Sequence, residues 1–372
     1  MSRKSQIAVT PVFFSLSTLL PVSFTSYLEG VLSPFLWAQF FTTVLLAGAA
    51  VASLPGPETA DVAELKATIR TWDVPTKGAR PYATAVSLDG SIWFTEEVAN
   101  KIGYLKPETG EFKEFTLAEG KNVAPHGLVA DQSGNIWFAA SSGGFIGKLE
   151  PKTGKVVVFK MPDPKATDPE SLALDSKGIL WFTVQNANMV GKLDPASGNI
   201  TLKSVPSPNA RPTGILVLQR GTPLFAEPGA GKIGFIMPDT FEVHEFTLPP
   251  GTRSRRIAIA RDENTLYFTD YTGGNLGKLD ISIGALIMFP TPGGADSSPY
   301  GLTIAPDGTV WYCETGIQPK NIVRFNPGTS TFSRAPIPFA AGAVHSLASA
   351  PDGRVYFASS DVDKVGAVEV AK

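Results

Sequence analysis

The chain contains a single cysteine, Cys313, so no intrachain disulfide bond can form. It also lacks an excess of charge of either sign, because 32 basic and 34 acidic residues leave a formal net charge of −2. Proteins that bind nucleic acid through their electrostatic field carry a basic surface, and we therefore expect no nucleic-acid partner. Only three histidines occur in 372 residues, which makes the position of each one informative.

Two kinds of catalytic motif are missing as well. The sequence has no G-x-S-x-G motif, which presents a nucleophilic serine in many hydrolases, and no glycine-rich phosphate-binding loop. Acyl-enzyme hydrolysis and nucleotide binding therefore have no support. Glycine, with 36 residues, and proline, with 31, are abundant instead, a composition typical of a turn-rich all-β protein.

Residues 1–54 differ in character from the rest of the chain. Arg3 and Lys4 are the only basic residues before Lys66, and an apolar stretch covers residues 31–52. A basic start, an apolar segment and the small residues Ala-Val-Ala at 50–52 are typical of an export signal with a cleavage site. About 20 apolar residues also suffice to span a bilayer, so a retained membrane anchor is the alternative. Both interpretations predict an exported domain, periplasmic or secreted, that follows a linker at residues 55–67.

The remainder, residues 68–372, contains seven copies of one repeat. Each copy has an opening residue, then an adjacent pair 11 and 12 positions later that is nearly always aromatic, and in six copies a glycine at position 21. The opening residues, 43 to 45 positions apart, are Tyr82, His126, Glu170, Thr213, Arg256, Tyr300 and His345. Asp-Gly and related pairs separate the short apolar runs, as in β-hairpins. Four short strands repeated seven times predict an all-β fold, a seven-bladed β-propeller with four-stranded blades.

The seventh repeat supplies patterns for only three strands. An additional strand pattern, Thr68–Val74, precedes the first repeat and resembles the fourth strands of other copies. We therefore predict that this N-terminal strand completes the seventh blade and closes the ring. We expect the propeller to act as a monomer.

Two positions of the repeat, which we call columns, hold mainly polar residues that differ from copy to copy. The positions of the aromatic pair and of the glycine, in contrast, hold nearly the same residue type in every copy. The first column is the opening one, which holds two of the three histidines, and the second lies 14 residues further along. The first two strands of a blade run antiparallel, so both columns belong at the same end of each blade. We expect them to line one mouth of the central channel. The second column reads Glu96, Ala140, Val184, Glu227, Asp270, Glu314 and Ser359.

These residues supply the candidate site. Histidine titrates near neutral pH and can act as a general base, so His126 and His345 are catalytic candidates together with Glu170. The candidates for contacting a substrate are Tyr82, Arg256 and Tyr300. Carboxylates suit a hard divalent ion, Mg²⁺ or alternatively Ca²⁺. The candidate metal ligands are Asp168, Glu170, Glu96 and Glu314. A metal ion beside a histidine base would polarise the carbonyl group of an ester or lactone.

The repeat also carries a family resemblance. Residues Pro81–Glu96, which end in Trp-Phe-Thr-Glu, and the Asn-Lys-Ile-Gly sequence at 100–103 resemble the repeat of the virginiamycin B lyase (streptogramin lyase) family. The resemblance covers residues 68–372. It implies a seven-bladed propeller and a Mg²⁺-dependent lyase that opens a cyclic depsipeptide by elimination across an ester C–O bond, with a histidine as the base.

The site that this resemblance implies combines Pro-His in one blade, Glu-Pro-His-Gly in the next, and a glutamate 14 residues after the second histidine. If Pro125-His126 corresponds to the first motif, Glu170 stands at the position of the base and Val184 at that of the glutamate. If His126 instead corresponds to the base, Ala124 and Ala140 stand at the carboxylate positions. Two alignments are therefore possible, and neither of them preserves the complete set of family residues.

Three functions are compatible with the sequence. The leading hypothesis is an exported, metal-assisted C–O lyase that opens a small-molecule ester or lactone at the channel mouth. The second is a lactonase-type hydrolase at the same place. The third is a non-catalytic propeller that binds a ligand or a protein.

Overall fold

The computed structural model describes residues 51–53 as backbone, and residues 62–117, 122–338 and 343–370. In these residues the regular structure is β-strand apart from two short 3-10 turns, Ala295–Ser297 and Ser360–Val362. The strands form seven separate sheets, each with four antiparallel strands, and in six of the sheets these four strands follow one another along the chain. The predicted seven-bladed β-propeller is therefore confirmed.

Within blades 1 to 6 the chain runs from the innermost strand to the outermost, and the innermost strands of neighbouring blades pack against one another. Blade 1 consists of Pro81–Val86, Ile92–Glu96, Lys101–Lys106 and Glu111–Thr116. Blade 2 consists of Pro125–Ala130, Ile136–Ala140, Phe145–Glu150 and Lys155–Lys160. Blade 3 consists of Pro169–Leu174, Leu180–Val184, Met189–Leu193 and Ile200–Ser204. Blade 4 consists of Thr213–Val217, Pro223–Glu227, Lys232–Met237 and Glu242–Thr247. Blade 5 consists of Ser254–Ile259, Thr265–Asp270, Asn275–Asp280 and Ala285–Pro290. Blade 6 consists of Pro299–Ile304, Val310–Glu314, Asn321–Asn326 and Thr331–Pro336.

The seventh blade combines the two ends of the propeller. Its inner three strands are Leu347–Ser349, Val355–Ser359 and Lys364–Val370, and its fourth is Ala67–Asp73. The fourth strand pairs antiparallel with Lys364–Val370 over all seven of its residues. The predicted closure by an N-terminal strand is confirmed, with bounds one residue earlier than the predicted Thr68–Val74.

The adjacent aromatic residues of the repeat fill the spaces on the two sides of each blade. Neighbouring residues on a strand point to opposite faces of the sheet. Phe138 therefore packs with Trp93 of the preceding blade, whereas Trp137 packs with Phe182 of the following blade. Both faces of each second strand are buried. These strands therefore lack the alternation of apolar and polar residues that is typical of a half-exposed sheet.

The glycine column of the repeat lies under the second aromatic column. Phe94 lies over Gly103 on the next strand, and a Cβ atom added to this glycine would fall 2.1 Å from the ring. The same contact recurs at Gly147, Gly191, Gly234, Gly277 and Gly366. In the sixth blade Val323 takes the place of the glycine and pairs with Tyr312. Glycine is required in the other six blades because a phenylalanine ring occupies the space of its side chain.

Two further short strands extend the outer edges of blades. Ala63–Glu64 pairs parallel with Ser333 and Arg334 of blade 6, so part of the predicted linker is attached to that blade. The backbone of Val51–Ser53 pairs parallel with residues 286–288 of blade 5. Apart from those three residues, the predicted signal or anchor at 1–54 lies outside the described residues. The described part of the chain contains no helix of the length and apolarity needed to cross a membrane.

Removal of the closing strand should abolish cooperative unfolding. A chain that begins at residue 75 lacks the fourth strand of blade 7, which leaves the strand Lys364–Val370 with an unpaired edge next to blade 1. We expect a single thermal transition in a chain that begins at residue 62 and a broad or absent transition in one that begins at residue 75. Identical melting curves for the two chains would contradict this account of closure.

Candidate functional site

The fifth blade differs from the others in the length of its first hairpin. In the other six blades, the backbone hydrogen bond that closes this hairpin joins residues four positions apart. In the fifth blade it joins Ala260 and Thr265, which are five apart. The additional residue shifts the inner strand by one position. The prediction that Arg256 is the opening residue of this blade is therefore wrong, and Arg255 takes that position.

The packing against the preceding blade shows the same shift. Gly214 of blade 4 lies against the carbonyl oxygen of Arg255 and the Cα atom of Arg256, as Gly127 of blade 2 lies against Glu170 and the residue after it. Arg256 thus occupies the position after the opening residue. The other blades have small residues there: Ala83, Gly127, Ser171, Gly214, Gly301 and Ser346.

Arg256 crosses the central channel and joins three blades. From blade 5, its Nη1 atom lies 3.3 Å from Oε1 of Glu170 in blade 3 and donates a hydrogen bond of 3.1 Å to Oγ of Ser171. Its Nε atom donates a hydrogen bond of 3.1 Å to the backbone carbonyl of His345 in blade 7. The guanidinium also lies 5.5 Å from the centre of the Tyr300 ring. The small residues at the equivalent positions leave room for this one long side chain.

Glu170 is held as a buried carboxylate by this arrangement. Its side chain is 5% exposed and accepts hydrogen bonds from Thr213, at 2.8 Å, and from the adjacent Ser171. Burial by itself would raise the pKa of Glu170, but the positive charge of Arg256 and these hydrogen bonds hold the pKa below its ordinary value. The charge of Glu170 is thus compensated within the protein.

Aromatic rings fill the other side of the mouth. Tyr82 is stacked between His126 and His345, with ring centres 4.5 and 4.6 Å apart and interplanar angles of 14° and 18°. Tyr300 meets His345 edge-on at 4.9 Å. The structure therefore brings together all six predicted catalytic and substrate-contacting residues, in two connected groups around the mouth.

The two histidines of the stack have different electrostatic surroundings. Burial, followed by the positive charge of Arg256, lowers the pKa of His345 to about 4, so this imidazole is neutral at pH 7. His126 instead has a carboxylate neighbour, because its Nε2 atom lies 3.4 Å from Oε1 of Glu97. The contact with His126 lowers the pKa of Glu97, against the effect of burial.

Glu97 is a residue that the sequence columns missed. It follows the second strand of blade 1, 15 residues after the opening residue and one residue after the second polar position of the repeat. Its other carboxylate oxygen lies 3.9 Å from Nη2 of Arg80 at the rim of the mouth. The two successive acidic residues Glu96 and Glu97 indicate this position in the sequence, because only one of two neighbours on a strand can point into the blade.

The expectation that the second column lines the channel is wrong for its glutamates. Glu96, Glu227 and Glu314 are each 0% exposed. Oε1 of Glu227 lies 2.5 Å from the Cβ position of Gly234, over the third strand and away from the channel axis. Alternate residues of a strand lie on the same face, so the glutamate at position 14 shares a face with the phenylalanine at position 12. That phenylalanine lies over the third strand, and the glutamate therefore does so as well.

Blades 1 and 4 contain the same buried polar network. In blade 4, Nζ of Lys232 donates hydrogen bonds to Glu245, at 2.6 Å, and to Oγ of Ser207, at 2.7 Å. Both oxygens of the nearby Glu227 lack a hydrogen-bond partner among the described residues. Burial, followed by the charge of Glu245, raises the pKa of Glu227 to about 8. The corresponding residues of blade 1 are Glu96, Lys101, Glu114 and Thr76.

The four predicted metal ligands do not come together. Asp168 accepts a hydrogen bond of 2.6 Å from the backbone of Asn186, and Glu314 accepts one of 2.6 Å from the backbone of Gly293 between blades 5 and 6. Glu96 lies inside blade 1, and the charge of Glu170 is compensated by arginine. In the described residues no group of three or more histidine, cysteine or acidic side chains is arranged to hold a metal ion. The four predicted ligands therefore do not form one site made of several protein oxygens, and the binding of Mg²⁺ or Ca²⁺ stays a prediction.

These features define a seven-bladed propeller with histidines, tyrosines and arginines at one mouth of its channel. The sequence model of the virginiamycin B lyase family matches residues 58–282, more than half of the chain, and the chain belongs to this family.

Individual relatives agree with this assignment. A virginiamycin B lyase of Nocardia farcinica is 29% identical over 145 residues, which cover 39% of this chain and 47% of the relative. The match thus spans about half the length of that protein. A streptogramin B lyase structure superimposes with a TM-score of 0.75 at 25% identity, over 82% of this chain and 98% of the other.

A further solved structure shows the shared fold alone. It is a catalytically inactive histidine-to-alanine variant of virginiamycin B lyase from Staphylococcus aureus with quinupristin. It has a TM-score of 0.75 at 23% identity and covers 82% of this chain and all of the other (100%).

Loss of Arg256 should strongly destabilise the propeller. The substitution Arg256→Met leaves Glu170 buried without a compensating charge, which costs about 3–5 kcal/mol in comparable cases. Chemical denaturation should show this loss, and the double variant Arg256→Met, Glu170→Gln should recover most of it because the uncompensated charge is gone. A double variant no more stable than Arg256→Met would contradict the assignment of an ion pair across the channel.

The buried glutamates should make the protein less stable as the pH rises. The raised pKa of Glu227, about 8, means that folding favours its protonated form; this contribution is complete below the unfolded pKa of 4.5 and is lost as the pH rises through 8. Glu227→Gln, which keeps the neutral form, should therefore match the wild type near pH 5 and exceed its unfolding free energy by about 1–3 kcal/mol at pH 9. Glu96→Gln should behave alike. Denaturation curves at the two pH values measure this, and a variant that is weakened more at pH 9 than at pH 5 would contradict it.

Proposed function

We propose that this protein binds a small-molecule ester or lactone at the channel mouth and cleaves its C–O bond by elimination. The observation that carries the proposal is the contact between His126 and Glu97 beside the Tyr82 ring. A histidine with a carboxylate neighbour can accept a proton, because the carboxylate stabilises the imidazolium that forms. Membership of the virginiamycin B lyase family supports the same reaction class.

The proposed reaction is a β-elimination. His126 takes a proton from a carbon next to a carbonyl group of the ligand. The electron pair of that C–H bond forms a C=C bond to the neighbouring carbon, and the C–O bond from that carbon to the ester oxygen breaks. The ester oxygen leaves with its electron pair as part of a carboxylate, and no water is consumed.

His126 suits the role of base better than His345. Burial and Arg256 lower the pKa of His345 to about 4, whereas His126 has the Glu97 carboxylate as its neighbour. His345 is therefore assigned to the ligand-binding surface, with Tyr82 and Tyr300. Their rings meet at centre distances below 5 Å and form a continuous aromatic cluster.

The proposed reaction is written without a metal-dependent step, because no group of three or more histidine, cysteine or acidic side chains in the described residues is arranged to hold a metal ion. The electropositive groups of this mouth are its arginines. We also propose that the reaction takes place outside the cytoplasm, in the periplasm or after secretion, with membrane attachment as an alternative. The apolar composition of residues 1–54 supports this location.

A non-catalytic, ligand-binding propeller is the second candidate. The specific observation in its favour is that Glu170, the only opening residue with a carboxylate, is paired with Arg256 inside the protein. Such a protein would use the aromatic cluster for binding and leave the ligand unchanged.

Product analysis by mass spectrometry separates these functions. The purified protein is incubated with quinupristin and with a panel of simple β-acyloxy esters and lactones. Elimination gives ring-opened products of cyclic ligands with unchanged mass, hydrolysis adds one water, and a binding protein gives no product. We expect unchanged mass, and we expect His126→Ala and Glu97→Gln to lower turnover by about 100-fold or more and by a smaller factor, respectively.

His244→Ala is the matched control, since His244 lies on the outer strand of blade 4 and its side chain is 44% exposed. Its turnover should equal that of the wild type. Addition of water would replace the lyase proposal by a hydrolase. Equal turnover of the wild type and His126→Ala would remove this histidine from the reaction.

A further inference from the structure

Arg255 occupies the opening position of blade 5 as a result of the longer hairpin. Its guanidinium carbon lies 5.1 Å from the centre of the Tyr271 ring and 5.6 Å from that of Tyr300. The two rings are perpendicular, at 89°, with centres 5.7 Å apart. The guanidinium is therefore held in a corner formed by two tyrosines, next to the ring that also contacts His345.

The positive charge of Arg255 has no acidic partner among the described residues. No ion pair joins it to a described carboxylate, and its buried Nε atom has no hydrogen-bond partner there. Its neighbour Arg256 is different, because Glu170 compensates its charge. A partly buried cation with free donors has lost hydration that an incoming anion can replace.

The chemistry of the guanidinium selects the ligand group. Its planar fork of N–H donors matches the two oxygens of a carboxylate, and the tyrosine rings hold this fork in place through their faces. A carboxylate is also what the proposed elimination releases. Negative charge develops on the ester oxygens while the C–O bond breaks, so a fixed cation at this point would stabilise the transition state more than the ester.

We propose that Arg255, in the corner formed by Tyr271 and Tyr300, is the carboxylate-binding group of the mouth and receives the leaving group of the elimination. This inference rests on the proposed function for the identity of the carboxylate. The cation that neutralises the departing charge is then an arginine of this chain. The proton goes to His126 and the electron pair of the C–O bond to the carboxylate that Arg255 binds.

The test uses benzoate as the probe, an aromatic carboxylate that needs no turnover. Isothermal titration calorimetry of the full chain at constant ionic strength should show benzoate binding to the wild type and about tenfold or greater weakening in Arg255→Gln. Arg255→Lys keeps the charge without the fork and should give an intermediate affinity. Benzamide, the neutral analogue of the probe, should bind to the wild type about as weakly as benzoate binds to Arg255→Gln.

Arg253→Gln is the matched control, because it removes the same charge from an exposed residue two positions away. Its affinity for benzoate should equal that of the wild type. Absence of benzoate binding in the wild type, unchanged binding in Arg255→Gln, or an equal loss in Arg253→Gln would each overturn the proposal. If Arg255→Gln does not fold, the comparison of Arg255→Lys with the wild type decides, and equal affinities would overturn it.

This experiment is independent of catalysis. Benzoate binding that depends on Arg255, in a protein that turns over no ester, would refute the lyase and leave the carboxylate site intact. Turnover without Arg255-dependent benzoate binding would leave the lyase and refute the site.

Discussion

Six of the seven blades depend on one contact, in which a phenylalanine ring of the second strand lies on a glycine of the third. The ring takes the space of the glycine side chain, as the 2.1 Å distance between Phe94 and the added Cβ of Gly103 shows. This contact also decides where the next residue on the same face can go. Glu96 and Glu227, two positions after their phenylalanines, are confined to the space over the third strand. The packing that makes the repeat visible in the sequence is thus the reason that these carboxylates do not reach the channel.

The fold could be predicted from the sequence because its causes are local and repeat. The aromatic pair, the glycine and the turn residues recur at fixed spacing, and each has a packing role within one blade or against the next. Even the closure of the ring was visible, since Ala67–Asp73 has the pattern of a fourth strand. A repeat position whose side chain packs inside a blade tolerates few residue types, and such positions are therefore recognisable in the sequence.

The site was less predictable because its contacts join residues from different blades. Counting positions back from the aromatic pair assigned Arg256 to the opening column, and the one additional residue in the turn between Ala260 and Thr265 made that count wrong. The error changes the chemistry, because the opening residue is an arginine whose guanidinium lies against two tyrosine rings and not the arginine that is paired with Glu170. No spacing rule would have found Glu97 opposite His126 either, because these two residues come from different blades.

The charges divide the mouth into two halves. Blades 1, 2 and 7 contribute Tyr82, His126 and His345, with Glu97 beside His126, a set suited to accepting a proton. Blades 5 and 6 contribute the two arginines and Tyr300. Glu170 compensates the charge of Arg256, whereas no ion pair joins Arg255 to a described carboxylate. A ring of carboxylates around a metal ion would give the mouth one central charge. The proposed roles instead assign the proton acceptor, His126, and the anion acceptor, Arg255, to different halves of the mouth.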